Sequence, residues 1–369
     1  MPELPDHVPA LLKRARALLG LGGGPPTALG RDELRPAALA VEALHRGLVG
    51  GRELARPKTY DDPAHLGAYL LWWWPQSYAK VRALVQMARA SGALPARVAR
   101  IADLGSGPAP AALAALDVLG GEAIAVDAST AALAEARILA GGRLATREAD
   151  IASPSFRLDG TFDVALIANA LCEVPLGARA PLFLHLPLAP DGAVLIVEPA
   201  LRDTGRALLE LRDALLRDGW MAAAPCLTQR PCPALSNPRD WCTAQHAWDP
   251  PEHLVQLARE LGLRADEELA YAPLALVRHI APAAAGIWRV VGVPQPEKGK
   301  KRLFVCSDEG RVAVTRLDRD SALGNGQFDE LRRGDLVMLR GLSAKGDGLR
   351  IAPDSEVRRV DEVSRGERG

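Results

Sequence analysis

Four cysteines have the residue type and arrangement that suit a metal centre. Cys226, Cys232 and Cys242 lie in one stretch with prolines at positions 225, 231, 233 and 238, and Cys306 lies further along the chain. Because proline cannot donate a backbone hydrogen bond, the stretch predicts irregular structure. Ordering irregular backbone costs roughly 1–2 kcal/mol per residue, whereas one disulfide returns about 3 kcal/mol and a structural zinc site about 10–16 kcal/mol. The comparison favours a metal as the group that orders this stretch.

The spacing of these cysteines leaves the identity of the metal open. Zinc sites usually contain a Cys-x-x-Cys pair, and no two cysteines of this chain are that close in sequence. Wide spacing favours an iron–sulfur cluster, because its four sulfur ligands lie farther apart than those of a single ion. Zinc is the alternative, with His246 or His253 able to replace a cysteine. Unlinked reduced thiols are a third interpretation.

A second group of residues suits a ligand that contains adenosine. The sequence Asp103-Leu-Gly105-Ser106-Gly107 follows a strand-like apolar segment and precedes a helix-like segment. Glycine lets the backbone approach a ligand closely, and a helix N-terminus offers unpaired N–H groups. A dinucleotide-binding fingerprint has a third glycine where this chain has Pro110. We therefore predict a ligand site at this loop that differs from the usual dinucleotide site.

Acidic residues follow three successive predicted strands: Asp103 the first, Asp127 the second and Asp150 the third. Asp127 is placed to accept hydrogen bonds from two ribose hydroxyls, as an acidic residue does in dinucleotide sites. Asp103 can face the cationic amine of S-adenosylmethionine, whereas it would repel a pyrophosphate. The pattern favours S-adenosylmethionine over NAD, with the loop residues and these three carboxylates as the cofactor-binding set.

The segment after the fourth predicted strand, Asn169-Ala-Leu-Cys172-Glu173, is where catalytic groups are expected. The Asn-Pro-Pro-aromatic stretch common in methyltransferases that act on base amino groups does not occur there. Asn169 and Glu173 are the catalytic candidates, as polar groups that line the pocket. Cys172 is most simply a buried core residue, although a cysteine beside an acid is also the arrangement of a nucleophile.

Alternating strands and helices are expected to position these residues. Such alternation predicts an α/β fold with a doubly wound, mainly parallel, Rossmann-like sheet and ligands at the strand C-termini. Strands are predicted at 98–104, 123–127, 162–168 and 192–199, and helices at 109–119, 129–140 and 204–217. Three regions follow: an N-terminal helical region (1–95), a Rossmann-like domain (96–283) with a Cys-rich loop (221–250), and a C-terminal β module (284–369).

Local signals refine the two flanking regions. Pro75 follows three consecutive tryptophans and is predicted to end or kink their helix. Residues 268–278 and 287–293 are strand-like and are predicted to form the antiparallel pair that closes the Rossmann-like sheet. Strands of the β module are predicted at 302–306, 311–317 and 335–340, with the basic cluster at 298–302 on a hairpin loop.

Composition limits the remaining possibilities. The 369 residues are 48% hydrophobic and 24% charged, as in ordinary globular proteins, and neither a signal peptide nor an apolar run of transmembrane length is evident. A cytoplasmic protein without a membrane partner is expected. Net charge is zero overall but +6 over residues 1–100, −7 over 101–225 and +3 over 284–369. This distribution indicates RNA contact by the flanking regions, through phosphates bound at the basic β surface.

Three features together resemble a known family. They are the loop Asp103-Leu-Gly-Ser-Gly-Pro-Ala, the segment Tyr69-Leu-Leu-Trp-Trp-Trp-Pro-Gln-Ser-Tyr78 and the four cysteines. They look like the methyltransferase-like proteins of the mitochondrial small ribosomal subunit and their bacterial relatives, over nearly the whole chain. The resemblance implies a class I S-adenosylmethionine fold and a role on the small ribosomal subunit, in assembly or early translation. It also implies a [4Fe–4S] cluster with four ligands: Cys226, Cys232, Cys242 and Cys306.

Three functions remain open at this point. The first is a ribosome-associated protein that binds S-adenosylmethionine and RNA without transferring methyl groups. The second is an active methyltransferase on ribosomal RNA. The third is an NAD-type oxidoreductase that uses the cluster for electrons, which Pro110 and the lack of an evident hydride-transfer site make the weakest. The protein is expected to be monomeric off the ribosome.

Overall fold

The computed structural model describes residues 2–49, 53–54, 56, 58–361 and 363. The chain divides into two compact units. The first unit contains the chain up to Val85 together with Ala96–Glu198 and His246–Leu269. The second contains Gln86–Pro95, Pro199–Gln245 and the chain from Ala270 onward. The glycine loop therefore lies in the first unit, and all four candidate metal ligands lie in the second.

The helices and strands are numbered in chain order. The helices are α1 (Leu4–Leu19), α2 (Arg31–Val49), α3 (Pro63–Ala90), α4 (Pro110–Leu119), α5 (Thr130–Ala140), α6 (Leu176–Leu184), α7 (Arg202–Arg217) and α8 (Glu252–Glu260). The first strands are β1 (Arg100–Leu104), β2 (Glu122–Asp127), β3 (Leu144–Glu148), β4 (Phe162–Ala168), β5 (Leu188–Pro199), β6 (Met221–Ala224), β7 (Ala244–Ala247) and β8 (Glu268–Val277). The later strands are β9 (Ile287–Val290), β10 (Gln295–Glu297), β11 (Lys300–Ser307), β12 (Gly310–Leu317), β13 (Leu336–Arg340), β14 (Ser343–Lys345), β15 (Gly348–Ile351) and β16 (Glu356–Val360).

The first unit is built on a parallel sheet. Strands β1 to β5 lie in the order β3-β2-β1-β4-β5, and each neighbouring pair is parallel. Helices connect β1 to β2, β2 to β3 and β4 to β5, and β1 and β4 are almost entirely buried, as expected for strands covered on both faces. The predicted doubly wound α/β fold is confirmed. The order places the carboxyl ends of β1, β2, β4 and β5 along one edge of the sheet.

Local sequence explains where two of the connecting helices begin. Ser129 caps α5, because its hydroxyl oxygen accepts a hydrogen bond from the backbone N–H of Ala132. Helix α4 begins at Pro110, in the first helical position, where the missing N–H of proline has no intrahelical partner to lose. Pro110 is therefore compatible with this loop although a dinucleotide fingerprint would have glycine there.

Helix α3 runs without interruption through Pro75, so the helix does not end there, and of the two predicted outcomes only a kink stays a prediction. Proline at position 75 removes the N–H that would bond to the carbonyl oxygen of Leu71, four residues earlier. The Nε2 atom of His253 lies 3.1 Å from that oxygen and replaces the lost donor. Burial lowers the pKa of His253 to about 4, so the ring is neutral near pH 7. This contact gives His253 a structural role instead of the metal-binding role considered from sequence.

Replacing His253 with alanine is expected to lower the free energy of unfolding by about 1–3 kcal/mol. The substitution leaves the Leu71 carbonyl oxygen buried without its donor, next to the proline that created the vacancy in the helix. Urea unfolding monitored by circular dichroism measures the change, with His185→Ala on the exposed end of α6 as the matched control. Equal stability of the two variants would contradict this role.

The second unit contains an antiparallel pair and a separate β-sheet. Strand β8 pairs antiparallel with β6, whereas β9 belongs to the separate sheet, where it pairs with β11 and β13. The prediction that residues 268–278 and 287–293 pair with each other is therefore wrong. The separate sheet has the order β14-β15-β12-β11-β9-β13-β16, with β10 also paired to β11. Its buried core includes Trp288, Leu303, Val305, Val314, Phe328 and Val337.

The three strands predicted for the C-terminal region are present as β11, β12 and β13, each within two residues of its expected bounds. The basic cluster lies elsewhere than expected: only Lys298 and Gly299 are in the turn, and residues 300–302 are on β11. On that strand Leu303 and Val305 are buried, while their neighbours alternate toward the other face of the sheet. The basic residues therefore belong to a sheet surface and not to a loop.

Candidate functional site

The glycine loop after β1 adopts the backbone that its glycines permit. Gly105 and Gly107 have positive φ values of 69° and 52°. A Cβ atom added at Gly105 would lie 2.5 Å from the Cβ atom of Ala170, so only glycine fits at this position. The backbone N–H groups of Gly105 and Ser106 both donate to the carbonyl oxygen of Val126, at 2.8 and 3.0 Å. The loop is thereby attached to the end of β2.

Asp127, at the end of β2, holds the loop from its other side. One carboxylate oxygen accepts a hydrogen bond from the backbone N–H of Gly107 at 2.7 Å, and the other accepts from Ser129 at 2.8 Å. Burial raises the pKa of Asp127. A carboxylate can accept about four hydrogen bonds, so Asp127 can accept two more, for example from two ribose hydroxyls.

Asp103 has an oxygen atom that is buried without a partner. Its side chain is 0% exposed, and Oδ2 accepts from the backbone N–H of Ala112 at 2.9 Å. Oδ1 has no hydrogen-bond partner among the described residues. Burial, with a smaller contribution from the charge of Asp127, raises the pKa of Asp103 to about 7. An unpaired buried carboxylate oxygen is costly, and a cationic ligand group would remove that cost.

Two tyrosines that the sequence did not single out lie beside these acids. The rings of Tyr60 and Tyr69 are 4.8 Å apart, edge to face. Burial raises the pKa of both tyrosines, and the charges of Asp127 and Glu173 raise it further. A Cβ atom added at Gly107 would lie 3.9 Å from the Cε2 atom of Tyr60, so Tyr60 lies beside the glycine loop. Adjacent aromatic residues in the sequence around Tyr69 were the only signal, and it did not specify a pocket.

The tryptophan-rich helix also fixes the glycine loop. Trp74 is fully buried, and its Nε1–H donates to the carbonyl oxygen of Pro108 at 3.0 Å. Trp73 instead stacks with Tyr69 and with His45, at ring separations of 6.4 Å in both cases. Trp73 and Trp74 thus have different surroundings, as adjacent positions on a helix require.

The residues after β4 form a small polar cluster. Asn169 has a φ of 58°, and its Nδ2 donates to the hydroxyl oxygen of Ser77 at 3.3 Å. Cys172 is half-buried instead of fully buried as expected for a core residue, and its Sγ donates to the carbonyl oxygen of Asn169 at 3.3 Å. Glu173 raises the pKa of both Tyr60 and Tyr69 through its charge. The structure brings Asn169, Cys172 and Glu173 together without identifying a catalytic group among them.

Glu198, near the end of β5, is a further acid that the sequence analysis missed. Its side chain is 2% exposed, and its Oε1 accepts from the backbone N–H of Leu171 at 3.1 Å. Burial raises the pKa of Glu198 to about 7, while a hydrogen bond with Cys172 and the charge of Arg179 oppose the shift. A fourth carboxylate in the strand-end series was visible in the sequence, but nothing local showed that it would be buried.

Asp150 differs from the other predicted cofactor-binding acids. It lies two residues beyond β3 and is exposed. Its Oδ1 accepts from the backbone N–H of Ala152 at 2.8 Å, within its own turn. This position leaves its role in ligand binding a prediction from sequence.

All four candidate metal ligands line one cavity in the second unit. Two are placed by the proline-rich segment after β6, the third precedes β7, and the fourth lies on β11. None of the five cysteines, all of which lie in the described part of the chain, forms a disulfide. Cys172 lies in the other unit, as its sequence context indicated. The cavity-lining cysteines are Cys226, Cys232, Cys242 and Cys306.

Three arginines line the same cavity, and the sequence analysis did not identify them. Arg212 is fully buried on α7 and donates to the carbonyl oxygens of Thr228 and Arg230. Arg289 donates to the carbonyl oxygen of Pro225 at 2.6 Å. Arg311, on β12, forms an ion pair with Asp240. The sequence contained one signal for Arg212, because it lies within the apolar stripe of α7 and arginine is almost never fully buried without a partner.

The cavity is lined by cysteines and cations, and by no carboxylate in the described residues. Burial, with the charges of neighbouring thiols, raises the pKa of Cys232 to about 11 and those of Cys242 and Cys306 to about 12. The arginines oppose these shifts, so their charge favours the thiolate forms. The cavity therefore suits a group that the cysteines bind in their deprotonated form and that has a net negative charge together with them.

No group of three or more His, Cys, Asp or Glu side chains in the described part of the chain is arranged to hold a metal ion. The arrangement by itself does not support a metal centre, and the cluster stays a prediction. His253 lies in the other unit on the Leu71 carbonyl oxygen, which removes it from the zinc alternative.

The strand order and the glycine loop define the first unit as a class I S-adenosylmethionine methyltransferase-like fold. The chain belongs to the family described as mitochondrial small ribosomal subunit Rsm22, whose profile matches residues 63–331. That match includes the glycine loop and all four cavity-lining cysteines. A comparison with curated proteins gave no match.

Solved structures similar to the chain include several methyltransferases. A TehB-like S-adenosylmethionine-dependent methyltransferase from Corynebacterium glutamicum is 16% identical, with 53% of this chain and 88% of that chain covered and a TM-score of 0.34. Magnesium protoporphyrin IX methyltransferase from Synechocystis is 14% identical, with 65% and 97% covered and a TM-score of 0.35. Ribosomal protein L11 methylase from Lactobacillus delbrueckii is 16% identical, with 53% and 78% covered and a TM-score of 0.32.

Within the described residues, no helix is long and apolar enough to cross a membrane. The cytoplasmic location remains a prediction, since the family is described as mitochondrial.

Proposed function

We propose that this chain is a small-ribosomal-subunit-associated, methyltransferase-like protein that binds S-adenosylmethionine and a [4Fe–4S] cluster and acts in subunit assembly or early translation. The observation that carries the proposal is the family match, because it spans both candidate sites instead of the common fold alone. We expect the protein to be monomeric when it is not bound to the ribosome.

The donor site is assigned to the loop and the acids at the sheet edge. Asp127 would accept hydrogen bonds from the ribose hydroxyls, in addition to those it already accepts from the loop. Asp103 would pair its free Oδ1 with the methionine amine. Gly105, Ser106 and Gly107 would let the backbone approach the ligand. S-adenosylmethionine supplies an electrophilic methyl group, and these residues would bind and orient it.

The unpaired oxygen of Asp103 also favours this ligand over NAD. A pyrophosphate beside a buried carboxylate would be repelled, whereas an amine cation would be attracted. The NAD-type oxidoreductase is therefore the weaker alternative, as the sequence indicated.

The four cavity cysteines would hold the cluster. Support comes from their shared cavity and from the three arginines, since a cluster held by four thiolates is an anion. The cluster would order the proline-rich segment and join it to β11. Zinc remains the alternative metal, because four thiolates are also a zinc ligand set.

Methyl transfer to ribosomal RNA is the finer part of the proposal. Asn169 and Glu173 are its catalytic candidates, near the donor site. Incubation of tritiated S-adenosylmethionine with the protein and immature small subunits distinguishes an active methyltransferase from an inactive binding protein. Label in ribosomal RNA would identify an enzyme, and binding without label would identify a catalytically inactive RNA-binding assembly factor.

Crosslinking in cells tests the association itself. Ultraviolet irradiation of cells that express the tagged full chain, followed by sequencing of the attached RNA, is expected to recover small-subunit ribosomal RNA. Large-subunit ribosomal RNA is the internal control. Equal recovery of both RNAs, relative to their abundance, would contradict the proposal.

A further inference from the structure

We infer that one face of the C-terminal sheet binds the phosphate backbone of a single RNA strand. The surface is a concavity on strands β11, β12, β14 and β15, which we call the basic trough. Its volume is about 1000 Å³, counting the part open to solvent. Its lining residues include Lys300, Arg302, Ala313, Thr315, Lys345, Gly348 and Arg350. This inference rests on the proposed function, because it names the surface with which the protein would contact ribosomal RNA.

Strand register brings the basic side chains together. Arg302 on β11 pairs with Thr315 on β12, and Thr315 pairs with Arg350 on β15. Directly paired residues of neighbouring strands point to the same face of a sheet. One transverse row therefore carries a cation, a hydroxyl and a second cation, which matches the groups that proteins use to contact phosphates.

The floor of the trough is made of small residues. Ala313 on β12 pairs with Gly348 on β15. A Cβ atom added at Gly348 would lie 2.7 Å from the carbonyl oxygen of Ala313, so this position requires glycine. Larger side chains here would fill the concavity. The small residues leave a depression between cationic side chains, open to an extended chain.

Charge in the trough is mainly positive. Four cations line it, and Asp347 is the one acid among its described lining residues. Lys300 and Arg302 share Glu297, at 2.9 and 3.9 Å, so their charges are partly compensated. Lys345 is exposed and has no ion-pair partner within the described residues.

Arg350 and Arg302 differ in how they are held. The guanidinium group of Arg350 lies 2.7 Å from Asp320 and is fixed by that contact. The Nε atom of Arg302 is buried and has no hydrogen-bond partner within the described residues. A donor without a partner at the wall of a basic concavity is a position where an anionic oxygen would be stabilised.

An RNA strand fits this surface better than an acidic protein partner does. Protein interfaces have apolar, aromatic-rich centres, whereas the centre of the trough is small, polar and cationic. Phe304 follows on the same face of β11, beyond Arg302 and toward Cys306, and the guanidinium carbon of Arg311 lies over its ring at 4.9 Å. The trough and the cysteine cavity thus lie at opposite ends of one face of β11 and β12.

Binding of a labelled, mixed-sequence single-stranded RNA to the full chain tests the inference. The double variant Arg302→Gln/Lys345→Gln is expected to raise Kd about tenfold at moderate salt. It should also lower the slope of log Kd against log salt by about 1.4, roughly 0.7 for each cation lost. The control Arg340→Gln/Arg358→Gln removes the same charge from exposed positions on β13 and β16 that do not line the trough.

Equal Kd values for the two double variants would overturn the inference. Lys345→Glu alone gives a second test, because this residue is exposed and its replacement should leave the unfolding temperature unchanged while raising Kd severalfold. Equally tight binding of polyaspartate, lost in the same variant, would assign the trough to polyanions in general and overturn the RNA assignment. Binding to small subunits is measured separately. If the trough binds RNA but the protein does not bind small subunits, only the proposed function is refuted.

Discussion

Cys232→Ser protein, purified without oxygen, is expected to be colourless where the unchanged protein is brown with about four irons per chain. The sulfur of Cys232 lines the same cavity as the other three cysteines, and serine oxygen is a poor ligand for iron in such clusters. Losing the cluster should also release the proline-rich segment, because structural metal sites contribute several kcal/mol to folding. We expect the unfolding temperature to fall by about 10 °C or more.

Cys172→Ser is the matched control for this experiment. Cys172 is half-buried in the other unit and does not line the cavity, so its replacement should leave iron content unchanged. Visible absorption, iron and acid-labile sulfide per chain, and calorimetry are measured on all three proteins. If the unchanged protein contains zinc instead of iron, the site is a zinc site and not an iron–sulfur cluster. Equal iron content in the Cys232 and Cys172 variants would contradict the ligand assignment.

Asp103→Asn is expected to weaken the binding of S-adenosylmethionine by about 10- to 100-fold. A hydrogen bond to a charged partner contributes about 1.5–3 kcal/mol, which corresponds to this range of Kd. Asparagine has nearly the shape of aspartate but cannot attract the methionine amine as an anion. Calorimetric titration of the full chain measures Kd, and Asp191→Asn, at an exposed position on β5 outside the donor site, is the matched control.

The pH dependence provides a second readout for Asp103. Its pKa is raised to about 7 by burial, so the carboxylate is mostly protonated below pH 7 and charged above it. Affinity for S-adenosylmethionine should therefore rise as the pH increases through 7 in the unchanged protein, and this rise should be absent in Asp103→Asn. A similar rise in both proteins would assign the titration to another group.

The same raised pKa affects stability without ligand. The unfolded aspartate loses its proton near pH 4, whereas the folded one keeps it to about pH 7. Between these values the folded state binds more protons, so the contribution of Asp103 to stability falls as the pH rises. Without ligand, Asp103→Asn should be at least as stable as the unchanged protein at pH 8, although it binds the ligand less tightly.

Local chemistry explains what could be predicted from the sequence. The glycine loop was predictable because a tight turn between a strand and a helix requires the positive φ values found at Gly105 and Gly107. The acid at position 127 was predictable because it ends the next strand, where it reaches the loop. The fold class followed from the alternation of apolar strands and helices, because a strand–helix–strand unit with parallel strands almost always has a right-handed crossover. The strands at β11 and β12 followed from a short turn between two apolar segments.

The remaining features depend on contacts between distant parts of the chain. Pro75 continues α3 because His253, far along the sequence, supplies a donor to Leu71. The burial of Arg212 beside the cysteines depends on carbonyl oxygens of the proline-rich segment, and no periodicity in α7 specifies those partners. Strand β9 joined the C-terminal sheet instead of pairing with β8, because a strand-like segment does not determine which edge it will join.

Sedimentation of the purified full chain with purified small ribosomal subunits tests the central claim most directly. In a sucrose gradient at physiological salt, with S-adenosylmethionine present, we predict that the protein moves with small subunits and stays at the top of a parallel gradient of large subunits. Protein that stays at the top of both gradients, while retaining its bound S-adenosylmethionine, would contradict a function on the small subunit.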